Sequence, residues 1–455
     1  MVLPEAIRFS NRQDVCNHGN GRLRALALDI LEAGLEAADP GREARKHIHM
    51  IGNRLWVYEK EFDLAKHDRI FLVGAGKATL PIAQVLEDIL GERITGGVII
   101  LKKGSQSTLR YVQVFYGAHP IPDENGNKGA KTMLAMMEGL TEKDLVIAIF
   151  TGGSSALLPL PAIGISLADK QEVNRIMLSC GAEITEINAV RKHLSQVKGG
   201  LLAKHILPAT IINLTVSDVV GDMLDYITDP TVADTSTFDD ARQVVTDFNL
   251  WERLPPSVVQ HLRNGSTAQE TPKDFSHDPI HSFIVLDSAV ACQASVEKAR
   301  QLGFNTMILT TMLKGEASEA GSFISSIAHE VVQYERPLAK PCAVILGGEN
   351  TVTFEGKHGT GGPNQELALS AALGICGLED VVIAAIDTDG TDGPTDICGA
   401  IVDGSSAVQG KNVGLDLKQA LRMHDVSNYL MLMGDALKAG QTGTNVNDLK
   451  ILLIG

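Results

Sequence analysis

Asp387, Asp389 and Asp392 fall within six residues, in the stretch Asp387-Thr388-Asp389-Gly390-Thr391-Asp392-Gly393-Pro394. Clustered carboxylates on backbone that glycine allows to turn sharply suit a hard divalent cation, which takes oxygen ligands. Mg2+ bridges carboxylate and phosphate oxygens, so the loop points to phosphate chemistry. Its plain alternative is an acidic, solvated turn. A basic set complements it. Gly74-Ala75-Gly76-Lys77 stands between an apolar run and a helical pattern, where backbone N–H groups can bind an anion. Lys77 adds a mobile positive charge there. The P-loop pattern GxxxxGK[ST] fails, with Phe71 at its first glycine and Ala78 after Lys77, and GxGxxG fails at Thr79.

Gly152-Gly153-Ser154-Ser155 is a second glycine turn with two hydroxyls, again suited to an anion. It lacks the GxSxG spacing of a nucleophilic serine. Asn188, Arg191 and Lys192 lie three and four apart on a helical pattern. One face would then carry donors for a carboxylate or phosphate, or else form a solvated surface. Asp218 and Asp222 in Ser217-Asp218-Val219-Val220-Gly221-Asp222 could bind a cation, act as a general base or cap a loop. Glu349 follows Gly347-Gly348, and Asn364 and Gln365 follow Gly361-Gly362-Pro363 at a helix start. Thr444 and Asn445 lie in a polar segment, 440–448, near the end. Neither HExxH, a zinc-spaced Cys/His set nor an EF-hand loop is present.

These groups need a sheet edge to hold them. Apolar runs at 69–73, 97–101, 145–150 and 211–216 alternate with helical patterns, the first of them at 80–90. That rhythm predicts a mostly parallel sheet with helices on both faces and the polar turns along one edge. A second series begins near Ser282 and continues through 306–309, 342–346 and 381–386, the last read as a buried parallel strand. The polar, proline-containing stretch 254–279 reads as a linker. The expected organisation is therefore an N-terminal domain over 1–253, a C-terminal α/β domain over 280–440, and a final segment 441–455 that returns to the first domain.

The chain has 455 residues and a formal net charge of −15, which argues against nonspecific nucleic-acid binding. No apolar run reaches the roughly 18 residues of a membrane helix, and residues 1–8 lack the apolar stretch of a signal peptide. The six cysteines are scattered without a CxxC pair, as expected of reduced thiols. A cytoplasmic location is the simplest expectation, and a homodimer is the base-rate expectation for assembly.

The chain resembles the class II glycerate 2-kinases, whose C-terminal half is the MOFRL domain and many of which carry an older label of hydroxypyruvate reductase. The matching stretches are 73–78, 119–126, 152–161, 188–202, 217–222, 387–399 and 442–449. The resemblance implies two α/β domains, the first Rossmann-like, with the active site in the cleft between them. It implies phosphorylation of D-glycerate on O2 by ATP with Mg2+. It makes Lys77 an active-site residue, and has Gly153, Ser154, Ser155, Asn188, Arg191, Lys192 and the acidic loop line the cleft. The mechanism expected places the metal on Asp389 or Asp392 and Lys77 on the γ-phosphoryl oxygens. Arg191 and Lys192 hold an anionic group, and Asp218, or failing it Asp222, orients the attacking hydroxyl. Gly74, Gly76, Glu349, Asn364, Gln365, Thr444 and Asn445 complete the expected binding set.

Two positions depart from the family pattern. Pro363 stands where an arginine is usual, and Asp229 where a glycine is usual in SGPT. Both changes remove or oppose positive charge. They keep open a kinase for another hydroxy acid, or a non-catalytic binding relative. Reduction of hydroxypyruvate with NAD(P)H is the remaining alternative, and the absent GxGxxG opposes it.

Overall fold

The computed structural model describes residues 9–217, 220–221, 229–354 and 356–455. The chain divides into two compact units: residues 40–285, and residues up to Asp39 together with Leu286–Gly455.

In the 40–285 unit a short antiparallel meander, β1 (Ile48–Ile51), β2 (Arg54–Val57) and β3 (Lys60–Asp63), precedes the main sheet. That sheet contains β4 (Arg69–Ala75), β5 (Gly96–Lys102), β6 (Gln113–Gly117), β7 (Asp144–Phe150), β8 (Thr210–Val216) and β9 (Ile280–Leu286). Its order is β6-β5-β4-β7-β8-β9, and β4 to β8 pair in parallel. This is the doubly wound order, with its reversal point between β4 and β7. The runs predicted at 69–73, 97–101, 145–150 and 211–216 are all strands. Valine, isoleucine and leucine fill them because both faces are covered: β7 is buried from Asp144 to Phe150.

The run near Ser282, read as opening the second domain, is instead the last strand of this first sheet. The stretch read as a linker contains the helix Pro256–Asn264. Its Val258 and Leu262 are buried with Val173, Ile176, Val190, Phe238 and Val245 in a helical subcore. Proline at the helix start and a buried apolar stripe account for a helix in a stretch that composition marks as polar.

The other unit is built on β10 (Asn305–Leu313), β11 (Cys342–Gly348), β12 (Val381–Asp387), β13 (Gly399–Asp403), β14 (Ala436–Leu437) and β15 (Asp448–Ile454), in the order β10-β11-β15-β12-β13-β14. The C-terminal strand β15 lies inside this sheet, antiparallel to β11 and β12. The final segment therefore does not return to the first domain. β12 is buried as expected, but both its neighbours run antiparallel. Composition reports burial on both faces, and strand direction leaves no such mark.

Alternate residues of β12 feed two cores. Val381, Ile383 and Ala385 pack toward the helices Ala317–Tyr334 and Pro363–Gly374. Val382, Ala384 and Ile386 pack with Leu23, Leu28 and Leu31 of the helix Gly21–Ala37. Each valine, leucine or isoleucine among them stabilises by about 1.5–3 kcal/mol when fully buried. This apolar face is why the N-terminal helix belongs to the C-terminal unit. The fully buried Arg24 fixes it further, its Nε 2.7 Å from Asp403 and its Nη1 2.7 Å from Asp435.

Candidate active site

In the 40–285 unit, the turns after β4 and β7 lie at the reversal point of the sheet, the position where open α/β sheets bind ligands. The turn after β4 does not cradle an anion with its backbone. Gly76 N donates to Ile100 O at 3.4 Å, Lys77 N to Gly152 O at 2.9 Å, and Ala78 N to Thr151 Oγ1 at 3.1 Å. Those amides are already used, and Gly74 lies inside β4. The two glycines serve close packing: a Cβ on Gly74 would strike Ile149, and one on Gly76 would strike Thr151. What the turn presents is the Lys77 side chain. A Cβ placed on Gly153, whose φ is +84°, would lie 3.4 Å from Lys77 Cγ and 3.3 Å from His119 Nε2. Lys77, Gly153 and His119 thus converge, although His119 follows β6 in the chain. His119 is not among the expected site residues: β5 and β4 separate β6 from β7 in the sheet, and the segment after β6 is what carries His119 to Gly153.

Ser154 begins the short helix Ser154–Leu157 and is buried, while Ser155 is half-exposed. Ser154 N donates to Thr151 O at 3.1 Å. Ser155 O accepts from Lys198 Nζ at 3.0 Å.

The helix predicted around Asn188 spans Ile184–His193. Its basic residues divide by function. Arg191 is half-buried, with Nε 3.0 Å from Asn174 Oδ1 and Nη1 3.4 Å from Asn188 Oδ1. Burial lowers its pKa from the ordinary arginine value. Lys192 is buried and bonded to Asp234, Nζ to Oδ1 3.0 Å. Asp234 also accepts from Ser236 and Thr271, and its pKa is lowered, Lys192 being the leading cause against the opposing effect of burial. Lys192 is therefore a structural cation and not a ready anion receptor. Neighbouring residues on a helix point about 100° apart, which separates it from Arg191.

Asp229 is 2% exposed. It accepts from Thr231 N at 2.6 Å, Thr231 Oγ1 at 2.7 Å and Thr215 Oγ1 at 3.3 Å, while burial raises its pKa. Asp218 and Asp222 lie outside the described residues.

In the other unit, Asp387 ends β12, and its register partner on β15 is Asp448. Asp448 in turn faces Gly348 at the end of β11. Burial raises the Asp387 pKa well above its ordinary value, and the nearby Asp389 and Asp448 add to the rise. Asp387 Oδ1 accepts from Asp389 N at 2.9 Å, and Asp389 Oδ1 from Thr391 N and Oγ1 at 2.9 and 2.7 Å. The segment 440–447 closes over this loop. Thr442 N reaches Asp389 O, and Val446 N reaches Thr388 Oγ1 at 2.9 Å. Glu349 Oε2 accepts from Asn447 Nδ2 at 2.9 Å. Thr444 Oγ1 is buried with no hydrogen-bond partner among the described residues, and Asn445 Oδ1 accepts from Asn447 N at 3.2 Å.

Asp392 differs from its two neighbours. It is 1% exposed, and both its oxygens are taken. Oδ1 accepts from Asn364 N and Nδ2, and Oδ2 from Gln365 N and Nε2, at 2.9–3.2 Å. It caps the helix Pro363–Gly374, in which Pro363 sits at the first turn. Burial, with Asp448 next, pushes its pKa up to about 6. Asp392 is thus a poor metal ligand. Asn364 and Gln365, expected to bind substrate, are buried braces between Asp392, Asp448 and Ser427. Their type suggested recognition, and their helix-end position made them caps.

Lys450, also missed, is fully buried and lies 2.8 Å from Asp448. The two are alternate residues of β15 and so share a face. Among the described residues, no group of three or more His, Cys, Asp or Glu side chains is placed to hold a metal ion. Asp387 and Asp389 remain as a carboxylate pair. That fits Mg2+, which binds one or two carboxylates with substrate phosphates and water supplying its other ligands.

Two family models match the chain: a domain of unknown function (DUF4147) over residues 26–263 and the MOFRL family over 342–448. A glycerate 2-kinase of Pyrococcus horikoshii is 41% identical over 439 residues, covering 94% of this chain and 98% of its own length. A D-glycerate 2-kinase of Thermotoga maritima is 41% identical over 434 residues, covering 95% and 98%. A crystal structure of glycerate kinase from Thermotoga maritima superposes with a TM-score of 0.82 at 40% identity, covering 96% of this chain and all of that one.

Proposed function

Because the chain belongs to the glycerate 2-kinase family, we propose that it transfers the γ-phosphoryl group of ATP to O2 of D-glycerate, with Mg2+, giving 2-phosphoglycerate. The observation that carries this reading is that identity to two such kinases runs through both units, over at least 94% of the chain.

Phosphoryl transfer asks a protein mainly for positioning and charge neutralisation. Lys77, beside Gly153 and His119, would neutralise phosphoryl oxygens. Arg191, held by two amide oxygens, keeps guanidinium N–H groups for a carboxylate or phosphate. Asp387 and Asp389 would hold Mg2+, which supplies charge neutralisation on the phosphates when bound. This replaces Asp392 in the metal role. Asp218 keeps the proposed role of orienting the attacking hydroxyl, with Asp222 the second choice.

Pro363 favours a second reading, a kinase for a different small hydroxy acid. It occupies the first turn of a helix whose cap is complete without an arginine. ADP release coupled to NADH oxidation, measured against D-glycerate, L-glycerate, glycolate and D-lactate, separates the two. D-Glycerate should give the highest kcat/KM. A higher value for another acid would replace the acceptor and keep the kinase.

A further inference from the structure

Five lysine or arginine side chains are buried among the described residues: Arg24, Lys170, Lys192, Lys198 and Lys450. Three of them meet a carboxylate. Arg24 pairs with Asp403 and Asp435, Lys192 with Asp234, and Lys450 with Asp448. Lys170 and Lys198, 3% and 1% exposed, meet none among the described residues. Lys170 Nζ donates to Leu194 O at 2.8 Å, and Lys198 Nζ to Ser155 O at 3.0 Å.

The two lysines are not separate accidents. Lys170 lies one helical turn from Asn174 on the helix Leu167–Leu178, and Asn174 Oδ1 holds Arg191 Nε. Leu194, whose carbonyl Lys170 holds, caps the helix that carries Arg191. Lys198 repels both Lys170 and Arg191, and among the described residues the buried Asp229 is the only opposing charge felt by any of the three. Among the described residues, every oxygen bonded to the three cations belongs to a backbone carbonyl or a side-chain amide. Burial pushes the Lys170 pKa down to about 7 and that of Lys198 well below the ordinary value.

Burying a cation without a counter-charge costs several kcal/mol. A fold that pairs its other buried cations but leaves these three together has left room in its charge balance for an anion. We propose that Lys170, Arg191 and Lys198 form one built oxyanion site, completed by a carboxylate or phosphate group of a substrate. The half-exposed Arg191 makes the contact. Lys170 and Lys198 are positioning residues: they supply the buried charge and fix the Leu194 and Ser155 carbonyls. Ser155 belongs to the turn that meets Lys77, through Lys77 N to Gly152 O. The site therefore adjoins the group assigned to the phosphoryl oxygens. The inference rests on the kinase reading for the identity of the ligand, and on the unpaired charge for the existence of the site.

The test compares wild type, Lys198→Met, Lys198→Arg and Lys170→Met. Melting temperature is read without ligand, and calorimetric affinity is read for D-glycerate, Mg-ATP and inorganic phosphate. Each methionine variant should melt higher than wild type without ligand, yet bind one substrate at least tenfold more weakly, with the other unchanged within threefold. Weaker D-glycerate binding identifies the anion as the acceptor carboxylate. Weaker Mg-ATP and phosphate binding identifies it as a phosphate. Lys198→Arg should recover at least half of the lost binding free energy. Unchanged affinities in both methionine variants overturn the proposal. So does a loss that Lys198→Arg does not recover, which would mean packing and not charge. If Lys198→Met does not fold, Lys170→Met decides alone. Calorimetry reads the site without turnover, so a protein that binds through Lys198 but transfers no phosphate contradicts the kinase reading and leaves the site standing.

Discussion

Lys192 Nζ lies 3.0 Å from Asp234 Oδ1, both groups buried. That pair divides the basic helix into a residue that holds the fold and a residue, Arg191, that offers its charge to a ligand. Removing one partner of a buried pair leaves the other charge uncompensated, which costs about 3–5 kcal/mol. Lys192→Ala should therefore lower stability in chemical denaturation by that amount. Arg191→Gln should leave stability within about 1 kcal/mol, because its bonds are to neutral amides, while raising a substrate KM at least tenfold. A KM effect without a stability effect at Lys192 would reverse the two roles.

The acidic loop divides in the same way. Asp392→Ala removes the acceptor of four amide donors at a helix start and should cost on the order of 3 kcal/mol. Asp389→Asn should leave the melting temperature nearly unchanged and raise the Mg2+ concentration for half-maximal activity at least tenfold. Mg2+ titration of both variants checks this; a shift in Asp392→Ala larger than that in Asp389→Asn would restore Asp392 as the ligand.

Lys77 should act on the chemical step. If it stabilises charge that builds up on the transferred group, Lys77→Ala lowers kcat by more than it raises KM. A change confined to KM would reduce it to a binding residue. Base catalysis contributes about 10²–10⁴-fold, so Asp218→Asn should lower kcat within that range with KM little altered. An unchanged kcat would remove the base assignment.

Lys170 makes stability depend on pH in an unusual direction. Its folded pKa, about 7, lies below the unfolded value near 10.5. The folded state therefore binds fewer protons between the two, and stability rises with pH across that window. The charged or titratable groups that act on Lys170 or its neighbours are Arg191, Lys198, His261 and, through Lys198, Asp229. Lys170→Met should be more stable than wild type at pH 7, on the order of 2 kcal/mol, with the gap closing toward pH 10. A gap independent of pH between 7 and 10 would mean that burial does not lower the Lys170 pKa.

Much of this architecture was legible in the residues. β4, β5, β7 and β8 are near-continuous β-branched and leucine runs because their sheet is covered on both faces, and Gly76 and Gly153 mark turns that other residues fit poorly. Partnership was harder to read. The periodicity of Gly21–Ala37 shows an apolar stripe, but not that it packs on β12 and β15, more than three hundred residues later. Arg191 and Lys192 are adjacent in sequence and differ only in what faces them. Asn364 and Gln365 have the chemistry of ligand binders and are spent on a helix cap. The Lys170 and Lys198 site left almost no local signal, since each lysine stands in an ordinary helical or turn context. What marks it is the burial of both side chains, which only the fold reveals.

Phosphorus NMR of the purified protein incubated with ATP, Mg2+ and D-glycerate tests the central claim most directly. The account predicts a 2-phosphoglycerate resonance growing with ADP, and its absence in Lys77→Ala. A phosphorylated product other than 2-phosphoglycerate, or ATP left intact beside D-glycerate, would contradict it.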